Sequence, residues 1–215
     1  MTAFALDRDL LVLEPALLRD VGWAGQRVLS TTGTVAGTTL TLASGSFADA
    51  GVGPGAIVLF DGLALEVVAV LSATGATVSV LRSRRDGPAI APPAASARPV
   101  RVYTFGPQLA MVHRQVLAMA GIDPDGSVGG AGPLTEAAVT NPGELVRLEA
   151  LGALHLIYAA AGAPGSGGLA FAQRAEMYRQ RYSEERERVL VMIDTDGDGI
   201  AETSRRPSVF AFVRG

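Results

Sequence analysis

Apolar residues along this chain recur with two different periods, and the switch between them marks its organisation. At the start, Leu10, Leu11 and Leu13 follow Asp7 and Asp9, acids suited to the cap or first turn of a helix. Pro15 opens a second short turn carrying Leu17, Leu18 and Val21 before Gly22. Trp23, the sole tryptophan, belongs at a core edge or a subunit contact. From about Gln26 to Phe105 the pattern becomes strand-like. Leu40 and Leu42 alternate with Thr39 and Thr41, and Gly53-Pro54-Gly55 turns the chain into the apolar run Ala56–Phe60. Asp61-Gly62 then predicts a tight hairpin into Leu63–Val70. Thr77–Leu81 and Val100–Tyr103 complete a set of five or six short strands, predicting a small, twisted antiparallel barrel.

Helical spacing returns at Pro107, with Leu109, Val112, Val116, Leu117 and Met119 on one face before Gly121. Residues 122–140, rich in Gly, Asp and Pro, predict a surface loop. Asn141-Pro142-Gly143-Glu144 is a helix start signal, with Asn as the cap and Glu reaching back from the third position. Leu145, Leu148, Leu151, His155 and Tyr158 follow at helical steps, and Gly162 with Pro164 ends the run. A last helix from near Leu169 places Phe171, Ala175, Tyr178 and Tyr182 on one stripe among many Arg and Glu. That charged remainder reads as a solvated face or as Glu/Arg pairing between neighbouring subunits. Val189–Ile193 and Ser208–Val213 predict two tail strands about the turn Asp194–Gly199. The fold class expected is α+β: a helical-bundle core, an inserted small antiparallel β-barrel and a C-terminal β-hairpin or extended arm. Its segments are 1–24 (N-terminal helices), 25–105 (barrel), 106–188 (helical core) and 189–215 (hairpin or arm).

Composition narrows the chemistry. The 215 residues are 48% hydrophobic and 18% charged, enough apolar material for a packed core, and the formal charge of −3 lacks the basic footprint that grips phosphate backbones. There is no cysteine, which excludes disulfides, thiol nucleophiles and cysteine-held metal centres. Every one of the 18 basic residues is Arg, so P-loop and Schiff-base lysine chemistry are excluded too. The opening MTAFALDRDLLVLE turns acidic by Asp7, unlike a secretory signal. The apolar stretch Val67–Leu81 falls short of the roughly 20 residues a membrane span needs. A soluble protein made in the cytoplasm, without membrane contact, is expected.

One local motif carries candidate chemistry. Asp194, Asp196 and Asp198 occupy the first, third and fifth places of a loop with Gly199 at the sixth, the first half of an EF-hand-type calcium loop. Glu202 stands at the ninth place, and Arg205 occupies the twelfth, where a bidentate Glu belongs. Two readings stand: a calcium site formed by Asp194, Asp196, Asp198 and Glu202, or a hairpin turn built on Asx turns. Arg82, Arg84 and Arg85 beside Asp86 read as a solvated hairpin end or an anion or partner contact. His113 lies beside Arg114 and Gln115 on a helix, and His155 sits on an apolar stripe. No nucleophile–base pair, serine elbow or metal-spaced His pair occurs, so an enzyme is not expected.

The order of elements is more telling. A short helical start, an inserted barrel, a helix opening at Thr104-Phe105-Gly106-Pro107-Gln108, two longer helices and an Asp-Gly-Asp-Gly hairpin follow one another. This succession, with Ser44-Gly45-Ser46-Phe47, Gly53-Pro54-Gly55 and the stretch Tyr178–Arg214, resembles the head–tail connector adaptors (head-completion proteins) of tailed bacteriophages. The resemblance implies a virion protein of the neck, assembled in the host cytoplasm. It implies a ring of self copies, usually twelve, seated between the portal protein and the next neck or tail protein (stopper or tail tube). Genome DNA would pass through the lumen without sequence-specific binding. It also implies a portal-binding arm comprising Arg205, Arg206, Val209, Phe210, Phe212, Val213 and Arg214, whose apolar residues suit strand addition to a neighbour's sheet. The alternative is a calcium-stabilised, non-catalytic binding module.

Overall fold

The computed structural model describes residues 3–22, 25–123, 134–162 and 168–208. The chain is mixed α and β and divides into two compact units, Leu6–Gly106 and Met1–Ala5 with Pro107–Gly215.

In the first unit, helices α1 (Asp7–Leu13) and α2 (Leu17–Val21) precede strands β1 (Gln26–Ala36), β2 (Thr39–Leu42), β3 (Ile57–Phe60), β4 (Leu63–Val70), β5 (Gly75–Val80) and β6 (Ala95–Thr104). The expected barrel is present. It closes in the order β1-β2-β5-β4-β3-β6, every pairing antiparallel, and closure removes the free edges that an open sheet would expose. Alternation along β2 sends Leu40 and Leu42 inward, where they meet Val35, Val58, Leu65, Val67, Val78, Val100 and Val102 in one cluster. Phe47, fully buried in that cluster, is held by its amide on the Ala73 carbonyl at 2.7 Å, so the Ser44–Phe47 stretch supplies core packing. Phe60 pairs with Leu63 across Asp61 and Gly62, whose φ values of 49° and 86° are the left-handed pair that a two-residue hairpin matched to strand twist requires.

Helix α1 is tied to the barrel by charge. The carboxylate of Glu66, on β4 and wholly buried, accepts from Arg8 Nε at 2.7 Å and from Arg82 Nε. Arg8 also donates to Asp9 at 2.9 Å and to the Arg82 carbonyl, and Arg85 pairs with Asp9. Asp9 doubles as a cap, its Oδ2 accepting the Leu6 amide at 2.8 Å. Asp7 accepts the Phe105 amide at 2.8 Å.

The second unit contains α3 (Gly106–Met119), a 3-10 turn (Glu136–Ala138), α4 (Pro142–Ala161), α5 (Gly168–Arg188) and a two-stranded antiparallel pair, β7 (Val191–Ile193) with β8 (Thr203–Arg205). Helix α4 buries the predicted stripe of Leu145, Leu148, Leu151 and Tyr158, whereas His155 is only half-buried, its Nδ1 3.0 Å from the Ala175 carbonyl. Contacts climb α5 as they descend α4, so the two helices run antiparallel. Tyr158 stacks on Tyr178 with centroids 5.7 Å apart, Tyr182 lies against Gly152, and Arg147 reaches Glu185 at 3.2 Å. Val112 of α3 also lies against Gly152.

One expectation is corrected here. Asn141 does precede α4, but its side chain makes no cap bond. Its amide donates to the Leu190 carbonyl at 2.8 Å and its Oδ1 accepts from the Met192 amide at 2.9 Å, fastening the helix start to β7. The strand paired with β7 is Thr203–Arg205, in register Val191↔Arg205, Met192↔Ser204 and Ile193↔Thr203, and the expected Ser208–Val213 strand falls, past Ser208, beyond the residues described. Residues 209–215 lie outside the described residues.

Candidate functional site

The acidic loop links β7 to β8. Leaving Ile193, the chain turns on Asp194, whose Oδ1 accepts the amides of Asp196 at 3.1 Å and Gly197 at 2.6 Å, and whose Oδ2 accepts Gly199 at 2.7 Å. These amides, Gly197 first, hold the Asp194 carboxyl below the usual aspartate range. Asp196 and Asp198 repeat the pattern, accepting the Asp198 amide at 3.2 Å and the Ile200 amide at 2.7 Å. Glu202 folds back, its Oε2 accepting the Thr195 amide at 2.6 Å and hydroxyl at 3.1 Å. The loop thus brings together all four residues that the sequence proposed as ligands: one oxygen from each lies within 4.8 Å of the others. An all-carboxylate donor set fits a hard cation such as calcium, which takes oxygen ligands at about 2.3–2.6 Å. The turn is equally complete in backbone hydrogen bonds, so its geometry serves both readings of the motif.

Arg205, at the twelfth loop position, points elsewhere. Its guanidinium donates to the Ala120 carbonyl at 2.7 Å. Helix α3 ends there in a Schellman motif, with Ile122 N bonded to Leu117 O at 3.0 Å and Gly121 N to Ala118 O at 2.9 Å. A cation on the carbonyl end of a helix is favourable, so Arg205 acts within its own unit as a helix terminator. Arg206 is exposed, and Arg186 Nη2 donates to the Pro207 carbonyl at 3.0 Å. Of the arm residues expected from the family resemblance, Val209, Phe210, Phe212, Val213 and Arg214 lie outside the described residues.

The arginine-rich hairpin end is less solvated than its sequence suggests. Arg82 is buried and bound to Glu66 and to the Gly87 carbonyl, and Arg85 reaches Asp9. Arg84 is exposed and pairs with Asp86 at 2.6 Å.

Sequence reasoning passed over a further polar cluster around His113, which is fully buried on α3. Its Nδ1 lies 2.6 Å from Oε1 of Glu149, itself fully buried on α4. Glu149 Oε2 accepts the Ala5 amide at 2.9 Å, and the Phe4 ring meets the imidazole edge-on at 4.7 Å. On the other side, His113 Nε2 stands 3.4 Å from Glu136 Oε2, without a hydrogen bond. Burial acts to lower the His113 pKa, but the hydrogen bond and charge of Glu149, joined by Glu136, outweigh it and raise the group above its ordinary value. A histidine and a glutamate at the buried positions of two helices were the available signal, and their 36-residue separation hid the pairing.

Among the described residues no helix is long and apolar enough to cross a membrane. No family model, curated protein or solved structure matches this chain.

Proposed function

We propose that the chain is a structural, non-catalytic adaptor of a virion neck. In this reading it assembles as a ring, usually of twelve copies, between the portal protein and the next neck or tail protein, with DNA passing through the centre. A helical-bundle core built on α3, α4 and α5 is the finer form of the same proposal.

The observation that supports it best is the C-terminal hairpin. Among the described residues β8 pairs on one edge only, with β7, and the chain leaves it toward the apolar run Val209–Val213. A short strand with a free edge and an apolar continuation suits completion by strand addition, and a ring multiplies a weak contact by valency. A net charge of −3 is compatible with a conduit, because a basic lumen would retain DNA by counterion release.

The test is truncation after Ser208, which spares Arg205 and the described hairpin. The truncated protein is expected to fold with unchanged circular dichroism and to lose its attachment to purified portal, read by negative-stain imaging and co-sedimentation. Undiminished attachment would remove the arm from the proposal.

A second reading, a calcium-stabilised binding module, is favoured by one observation: the convergence of Asp194, Asp196, Asp198 and Glu202. There the ion would hold the β7–β8 loop closed by neutralising four neighbouring carboxylates.

A further inference from the structure

His113 joins three segments distant in sequence. Its Nδ1 is engaged by Glu149 of α4, and opposite an ionised carboxylate, which only accepts, the ring supplies the proton of that bond. The second ring nitrogen, fully buried and without a hydrogen-bond partner, faces Glu136 at 3.4 Å. With that nitrogen protonated, an imidazolium sits between two carboxylates. With it deprotonated, a lone pair confronts the Glu136 carboxylate across the same gap, and attraction becomes repulsion.

Glu136 is the member free to respond, since 31% of its side chain is exposed whereas Glu149 is sealed in. It also begins the segment that edges the C-terminal hairpin. Val139 bridges Ile193, Thr140 N donates to Met192 O at 3.0 Å, and Asp194 N donates to Ala138 O at 2.9 Å. Among the described residues, other elements contribute groups near this cluster that carry no competing base. From α5 come Tyr182, whose phenol burial keeps neutral, and Arg186, stacked 5.7 Å from the Tyr182 ring; the N-terminal segment contributes the apolar Phe4.

We propose that His113 is a proton-operated clasp: protonated, it holds Glu136 and the 134–140 segment against α3, and deprotonated, it releases them and loosens the β7 edge of the hairpin. The proposal stands on the geometry of this unit and is independent of the adaptor reading. The sign follows from proton linkage. The folded state holds the His113 proton more tightly than the unfolded state, so the clasp contributes fully below the ordinary value of 6.5 and is lost as pH rises through the folded-state value.

The experiment is hydrogen–deuterium exchange of the full chain at about pH 5.5 and about pH 8.5, corrected for intrinsic exchange, with NMR titration of the His113 ring. Peptides covering 134–140 and 191–194 are expected to lose protection at the higher pH. The loss reaches at most about tenfold for each pH unit by which His113 titrates above its unfolded value. Glu136→Gln keeps a polar group of the same size at a partly exposed site and is expected to flatten this dependence. Equal corrected protection at both pH values in the wild type, or a full pH dependence retained in Glu136→Gln, would overturn the clasp.

Discussion

Replacing Asp7 by Asn should make the barrel unit more stable at neutral pH. The residue is 8% exposed, and burial raises its carboxyl from 3.8 to about 6, against the opposing hydrogen bonds from the Phe105 amide and the Thr104 hydroxyl. The folded unit therefore binds a proton that the unfolded chain has already released, and stability falls as pH rises through this window. The rise from 3.8 to about 6 corresponds to a loss of about 3 kcal/mol by pH 7, at about 1.4 kcal/mol per pH unit. An Asn carbonyl can still accept from the Phe105 amide, 2.8 Å from Asp7 Oδ1, while carrying no charge to desolvate. Urea unfolding at steps between about pH 4 and about pH 8, followed by circular dichroism, measures both proteins. The two curves should coincide at the acid end and separate by about 3 kcal/mol at the alkaline end, with the Asp7→Asn variant the more stable. A difference that stays constant with pH, or a weaker variant at neutral pH, would refute the assignment of a strained, buried carboxylate.

Other perturbations test the remaining structural claims. Glu66→Ala leaves the Arg8 and Arg82 guanidiniums, both nearly buried, without their shared anion, and should cost about 3–5 kcal/mol in denaturant unfolding; Arg84→Ala, at an exposed pair, should leave the unfolding midpoint essentially unchanged. Gly121→Ala places a Cβ against the Arg205 guanidinium at a φ of +69°. Left-handed strain plus the displaced Arg205–Ala120 bond should lower stability by about 1–3 kcal/mol, and Gly121→Asn, tolerant of that φ but not of the Arg205 overlap, should recover only part of the loss. If the acidic loop takes calcium, a hundredfold excess over the dissociation constant should stabilise the chain by about 2.7 kcal/mol in thermal unfolding, and Asp196→Asn should reduce this; no shift at millimolar calcium would leave the bare turn.

Local pattern reached far into the fold. The two-residue turn at Asp61-Gly62, the inward Leu40 and Leu42, the apolar stripe of α4 and the clustering of Asp194, Asp196, Asp198 and Glu202 all depend on residues close to one another in the sequence. Strand β1 was harder to see. Its Ser30, Thr31, Thr32 and Thr34 carry little hydrophobic contrast, and only pairing with β2 and β6 makes it the seam that closes the barrel. Asn141 was legible as a helix boundary, but its choice of the Leu190 and Met192 backbone over the helix amides depends on where β7 lies.

The sequence by itself determined where this chain alternates, where it turns, and which chemistries its missing cysteine and lysine exclude, because steric preference and side-chain period act between near neighbours. Tertiary structure alone decided the fate of the charges. Glu66 meets Arg8 across 58 residues, and Arg82 and Arg85 are drawn from an apparently solvated hairpin into ion pairs. His113 is likewise trapped between Glu136 and Glu149. A buried charge must find a partner to offset its lost hydration, and which partner the fold delivers is a property of packing in three dimensions.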